Sequence, residues 1–265
     1  MRLYTTIHFL AMSWVRTPMH QYYGKWPFYR FMGVQEPFSV LFSLLNLLAH
    51  RSGMRDVRVR LPTHPNYPSY IIFAAVNILA WLASSLFHTR DTPLTERLDY
   101  VCAGAAVTSG LNLAITRVFD VHWKKSSGIL AAAYLFHILT VLSSQRIDYG
   151  WHMAIVIAAG MAHNAIWVWF SLRDWVGKLL YAQSHINSRS HTHPAQYTPL
   201  LLVTLTTAAL SLELLEFEPL FRAIDAHSLW HASTFPLAIH WYSWLITDAE
   251  WSMSGKSALD KELEA

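Results

Sequence analysis

The chain has 265 residues, 53% of them hydrophobic and only 14% charged. Soluble domains carry roughly 25% charged residues, so this composition does not cover a water-soluble globule, and the mean hydropathy of +0.24 agrees. A net charge of +3 without a basic cluster disfavours a nucleic-acid binder, and a single cysteine, Cys102, excludes an internal disulfide framework and a cysteine-based metal site. Fifteen histidines beside that one cysteine leave imidazole and carboxylate as the available metal ligands.

The first 36 residues begin with Arg2 and a partly apolar run, Leu3–Val15. Thr, His and Ser interrupt that run and no small-residue cleavage site follows, so residues 1–36 read as a luminal segment rather than a signal peptide. A bilayer-crossing helix needs about 20 mostly apolar residues. Seven runs approach that length, at 37–50, 70–87, 98–118, 128–143, 151–172, 198–215 and 227–246. They are continuous rather than alternating, which argues for helices and against a barrel. Pro65, Pro68, Pro93, Pro194 and Pro199 fall before or between the runs, where helices start or stop. The fold class predicted is therefore all-α: a polytopic seven-transmembrane-helix bundle over residues 37–250. A polar tail at 251–265 is expected to lie on the cytosolic side without structure.

Alternation of the seven spans groups Arg51, Arg55, Arg58, Arg60, Lys124, Lys125, Arg173, Lys178, Arg189, Lys256 and Lys261 on one side. The other connections carry only Arg90, Arg97, Arg146 and Arg222, although the N-terminal segment adds Arg2, Arg16, Lys25 and Arg30 there. The positive-inside rule then places the N-terminus outside and the C-terminus inside.

Polar and ionisable residues inside or at the ends of spans are costly and are functional candidates by default. Ser84 and His88 close the second span four residues apart, so both project from one helix face. Asp99 opens the third span, and His227 and His231, again four apart, open the seventh. Alternation brings all five to one side of the bilayer, the luminal side. Three imidazoles around an open position are a catalytic zinc arrangement. Taken singly, each pair has a plain alternative as interfacial histidines. His185, His191 and His193 read as members of a solvated polar loop, and His137, His152, His163 and His240 as packed or interfacial residues.

Five blocks carry a family pattern: Tyr22-Tyr23-Gly24-Lys25-Trp26-Pro27-Phe28, Gly33-Val34-Gln35-Glu36-Pro37, Phe87-His88-Thr89-Arg90-Asp91-Thr92, Glu96-Arg97-Leu98-Asp99-Tyr100 and Asp225-Ala226-His227-Ser228-Leu229-Trp230-His231. They resemble the GPI-anchor lipid-remodelling proteins, the post-GPI-attachment group described as GPI-specific phospholipase A2, in the CREST superfamily of seven-span membrane hydrolases. The resemblance implies a Zn2+ cofactor on His88, His227 and His231, with Asp99 and Ser84 catalytic. It also implies hydrolysis of the sn-2 acyl ester of the GPI phosphatidylinositol, GPI-anchored proteins as lipid-linked substrate, and a multi-pass location in the endoplasmic reticulum or Golgi membrane. Arg90 and Arg97 are candidates for the inositol phosphate, with interfacial anchoring as the other reading. The family's signal peptide and cysteine-rich luminal segment are not seen here, and Glu218-Pro219 replaces its Pro-Pro. Two rival functions stay open: a ceramidase-like amide hydrolase, and a non-catalytic receptor or scaffold with a structural zinc.

Overall fold

The computed structural model describes residues 19–21, 25–143, 148–180, 193, 195–215 and 217–263. Among these residues there are seven helices and no strand beyond two isolated bridges. The helices are α1 (Pro37–Arg60), α2 (Tyr67–Thr89), α3 (Pro93–Val118), α4 (Trp123–Ser143), α5 (Tyr149–Leu180), α6 (Thr198–Leu214) and α7 (Ala226–Leu263). Proline stands in the first turn of α1, α2, α3 and α6. The missing N–H is no loss there, and the fixed φ favours helix entry. At α3 the Thr92 side chain accepts from the Thr95 N–H while Thr95 reaches back, a reciprocal cap.

Four helices are long and apolar enough to cross a membrane: α2, α3, α4 and, within α5, Tyr149–Val176. The chain is therefore a multi-pass membrane protein. Helix α6 is apolar over Thr198–Leu212 but shorter. Helix α1 runs ten residues past the predicted apolar window, because Arg51–Arg60 continues it as a basic amphipathic extension. Helix α7 continues to Leu263, so over residues 251–263 the backbone of the polar tail is helical rather than unstructured.

Helix α1 is polar on its inner face and apolar on its outer one. Ser39, Ser43, Asn46, His50 and Gly53 are buried, whereas Leu41, Leu44 and Leu48 are exposed. In lipid this inversion is favourable, since polar groups find partners only inside the bundle. Helix α1 packs between α2 and α7, and α3 lies on the far side of α2. At Gly53 the α1 backbone meets the face of the Tyr242 ring. A buried cluster that includes Val57, Tyr70, Trp167, Phe170, Tyr242 and Trp244 fills one half of the bundle. It is bordered by Asp248, fully buried, which accepts from Arg117 Nε and Nη2 at 2.5 and 2.6 Å.

Candidate metal centre

Helix periodicity places the predicted side chains as expected within each helix. Ser84 and His88 share the buried face of α2, and His231 is buried one turn beyond half-buried His227 on α7. Packing of both helices against α1 then brings their imidazoles together. Ring nitrogens of His88, His227 and His231 all lie within 4.8 Å of one another. The Nε2 atoms of His88 and His227 are 3.2 Å apart. Two imidazoles bound tetrahedrally at ordinary zinc–nitrogen distances would hold their nitrogens roughly 3.3 Å apart, so this pair fits the edge of such a site.

The outer nitrogens explain how the rings are aimed. His88 Nδ1 lies 2.6 Å from the Glu36 carboxylate, to which it donates. This leaves the Nε2 lone pair facing His227, the arrangement by which an outer carboxylate orients a metal-binding histidine. Burial works to raise the Glu36 carboxyl, but its hydrogen bond with His88 and the basic groups around it, Lys25 among them, outweigh burial and hold the carboxyl below its ordinary value. On the other side, Ser43 Oγ donates to the Ser39 carbonyl at 2.7 Å, so its lone pairs face the site. They accept from His231 Nδ1 at 2.9 Å and from Ser84 Oγ at 3.1 Å. His231 is thereby the Nδ1–H tautomer with Nε2 left for a metal. Asn46 Nδ2 donates to the His231 carbonyl at 2.8 Å and fastens α1 to α7 at that level. The Trp81 ring closes the site edge-on against His231, centroids 5.2 Å apart.

Asp99 stands apart from the three-histidine cluster, half-buried in the second turn of α3. Arg90 caps the C-terminus of α2 and Arg97 lies in the first turns of α3; both are exposed. Three residues of the site escaped sequence reasoning: Glu36, Ser43 and Asn46. Ser39, Ser43, Asn46 and His50 recur every three or four residues inside an apolar run, which is a legible inward stripe. Glu36 precedes the helix and carries no such signal.

The remaining histidines divide. His137 and His152 stack at 3.0 Å between ring nitrogens, and His163 accepts from Trp167 Nε1 at 3.0 Å, so these three are packed as expected. His240 is exposed and lies 2.7 Å from the Pro236 carbonyl. His193 corrects the solvated-loop reading: its side chain is buried, with Nε2 3.1 Å from Asp248 and its ring against Trp251. Asp248 and the aromatic cluster supply the partners that the loop sequence does not. His185 and His191 lie outside the described residues.

With this geometry in hand, likeness to known proteins is informative. Residues 4–249 match the Per1-like family. The chain belongs to that family. It is 35% identical over 246 residues to the "Protein PER1 homolog" of Schizosaccharomyces pombe, covering 89% of this chain and 70% of that protein. It is 36% identical over 236 residues to the human "GPI-specific phospholipase A2-like PGAP3", covering 86% and 68% respectively. A Drosophila melanogaster relative, "Post-GPI attachment to proteins factor 3", is 35% identical over 243 residues, covering 90% and 69%. No solved structure matches the chain.

Proposed function

We propose that this Per1-like protein remodels GPI anchors by zinc-dependent hydrolysis of the sn-2 acyl ester of their phosphatidylinositol. The observation that carries the reading is the trio His88, His227 and His231, with Glu36 and Ser43 setting the ring nitrogens of His88 and His231. Relatives named GPI-specific phospholipase A2-like supply the substrate class. The chain crosses the bilayer seven times with its N-terminus in the lumen, so the trio faces the luminal leaflet of the endoplasmic reticulum or Golgi.

Zinc held there would supply a Lewis acid and lower the pKa of a water toward about 7. The family resemblance assigns Asp99, on the neighbouring helix α3 and outside the trio, the part of taking a proton from the attacking water and returning it to the departing alkoxide. The water oxygen bonds to the acyl carbon, the ester C–O bond breaks, and a fatty acid and a lysolipid leave. Ser84 turns its hydroxyl from Ser43 toward the developing oxyanion. Arg90 and Arg97, exposed beside the same helix ends, pair with the inositol phosphate.

Metal analysis of the purified protein, combined with mass spectrometry of GPI lipids from cells lacking it, tests this. One bound zinc and anchors that keep their original sn-2 chain are expected. Ordinary anchors with altered ceramide turnover would move the protein to the ceramidase reading. A bound metal with both lipids unchanged would favour the scaffold.

A further inference from the structure

Two turns beside the histidine trio carry bulky apolar residues in backbone conformations that disfavour them. In the first, Phe31 and Val34 bridge across Met32 and Gly33; in the second, Leu220 and Ile224 bridge across Phe221, Arg222 and Ala223. Met32, Phe221 and Arg222 have φ of 50°, 55° and 56°. Left-handed positions ordinarily go to Gly, Asn or Asp, and the chain follows that habit elsewhere, at Asp120 with φ 51°. Here they go to Met and Phe, and Met32 and Phe221 are 89% and 93% exposed. Tyr29 and Phe31 are exposed beside them. Strain retained at such positions points to a use.

The turns form one unit. The Tyr29 N–H donates to the Arg222 carbonyl at 2.7 Å, and Arg222 Nε donates to the Pro27 carbonyl at 3.2 Å. The unit is rooted on the end of a membrane-length apolar helix: the Gln35 and Glu36 N–H groups donate to the Thr89 and His88 carbonyls, both at 3.1 Å. That level is where a span leaves the hydrocarbon. Exposed Leu82 and Leu86 on α2 and Leu94 and Leu98 on α3 continue the apolar surface below it. Aromatic residues interleaved with arginine, here Arg30 and Arg222, are the side chains that settle at a headgroup boundary.

We propose that these tied turns are a lipid-docking rim, seated in the headgroup–acyl boundary of the leaflet that the histidine trio faces. Its use as the entry for a lipid substrate rests on the proposed function; its seat in the bilayer does not. Full-length protein carrying Cys102→Ser and either Met32→Cys or Phe221→Cys, labelled with a fluorophore and placed in phosphatidylcholine nanodiscs, tests the seat. Brominated acyl chains are expected to quench both probes about threefold more than a probe at exposed Asp148→Cys, and aqueous iodide to quench them less, as for side chains inserted below the headgroups. Quenching equal to that at Asp148, or shielding from both quenchers as a second copy or a protein partner would cause, overturns the rim. The readout needs neither metal nor turnover. Probes in lipid with no hydrolysis would overturn the proposed function alone, and probes in water with hydrolysis intact would overturn the rim alone.

Discussion

The Glu36 carboxylate and the His227 ring address opposite nitrogens of His88, at 2.6 Å from Nδ1 and 3.2 Å from Nε2. His88 is thus held in one tautomer from outside. Glu36→Gln replaces an acceptor with a group that can also donate, so the ring is free to adopt the wrong tautomer. Zinc affinity, measured by competition with a chelator, is expected to fall by about 10- to 100-fold. An unchanged affinity would show that Glu36 does not orient the ligand.

Ser43 does the same for His231 through a weaker, neutral contact at 2.9 Å. Ser43→Ala should lower zinc affinity by about tenfold. Ser43→Thr, which keeps the hydroxyl, should lose less. Equal losses in the two variants would assign Ser43 to packing alone.

His231→Ala is expected to remove metal retention and lipid remodelling together, because two imidazoles and water make a poor zinc site. Chelation of the unmodified protein should abolish remodelling in the same way, with readdition of zinc restoring it. Full remodelling by a metal-free His231→Ala protein would sink the hydrolytic scheme.

Gly53→Ala introduces a methyl group where the α1 backbone meets the Tyr242 ring. The ring is buried and hydrogen-bonded to His50 at 2.9 Å, so it has little room to yield. A loss of about 1–3 kcal/mol is expected, read as a lower thermal midpoint in detergent. No change would mean that the ring relaxes without resistance.

Asp248→Ala leaves the partly buried Arg117 guanidinium without its fully buried carboxylate partner. Breaking a fully buried pair from one side costs about 3–5 kcal/mol, and the partial exposure of Arg117 places the expected loss at or below the lower end of that range. Asp248 lies well along α7 from His231, so the fraction that remains folded should bind zinc with unchanged affinity. A fall in zinc affinity as large as that for Glu36→Gln would tie the ion pair to the site.

The helices and the trio were legible for different reasons. Continuous rather than alternating apolar runs argue for helices, and all seven runs are helical, four of them within helices long and apolar enough to cross a membrane. The i,i+4 spacings of Ser84 with His88 and of His227 with His231 put each pair on one face, and alternation of the runs brought α2 and α7 to the same end. The inward stripe of α1 was present in the sequence at Ser39, Ser43, Asn46 and His50, but polar residues in one helix do not say which partner they meet. His193 shows the limit from the other direction: a polar loop residue became buried because Asp248 and the ring of Trp251 were waiting for it.

Periodicity and residue type therefore indicate that this chain is helical and built for lipid, and they put Ser84 with His88 and His227 with His231 on shared helix faces. They do not settle how those imidazoles are held. That depended on the rotation and depth of α1 against α2 and α7, which set Ser43 between Ser84 and His231, and on the irregular backbone that lays Glu36 on the end of α2. Hydrogen bonds between residues 52 and 188 positions apart have no local signature; only packing brings their atoms within 3 Å.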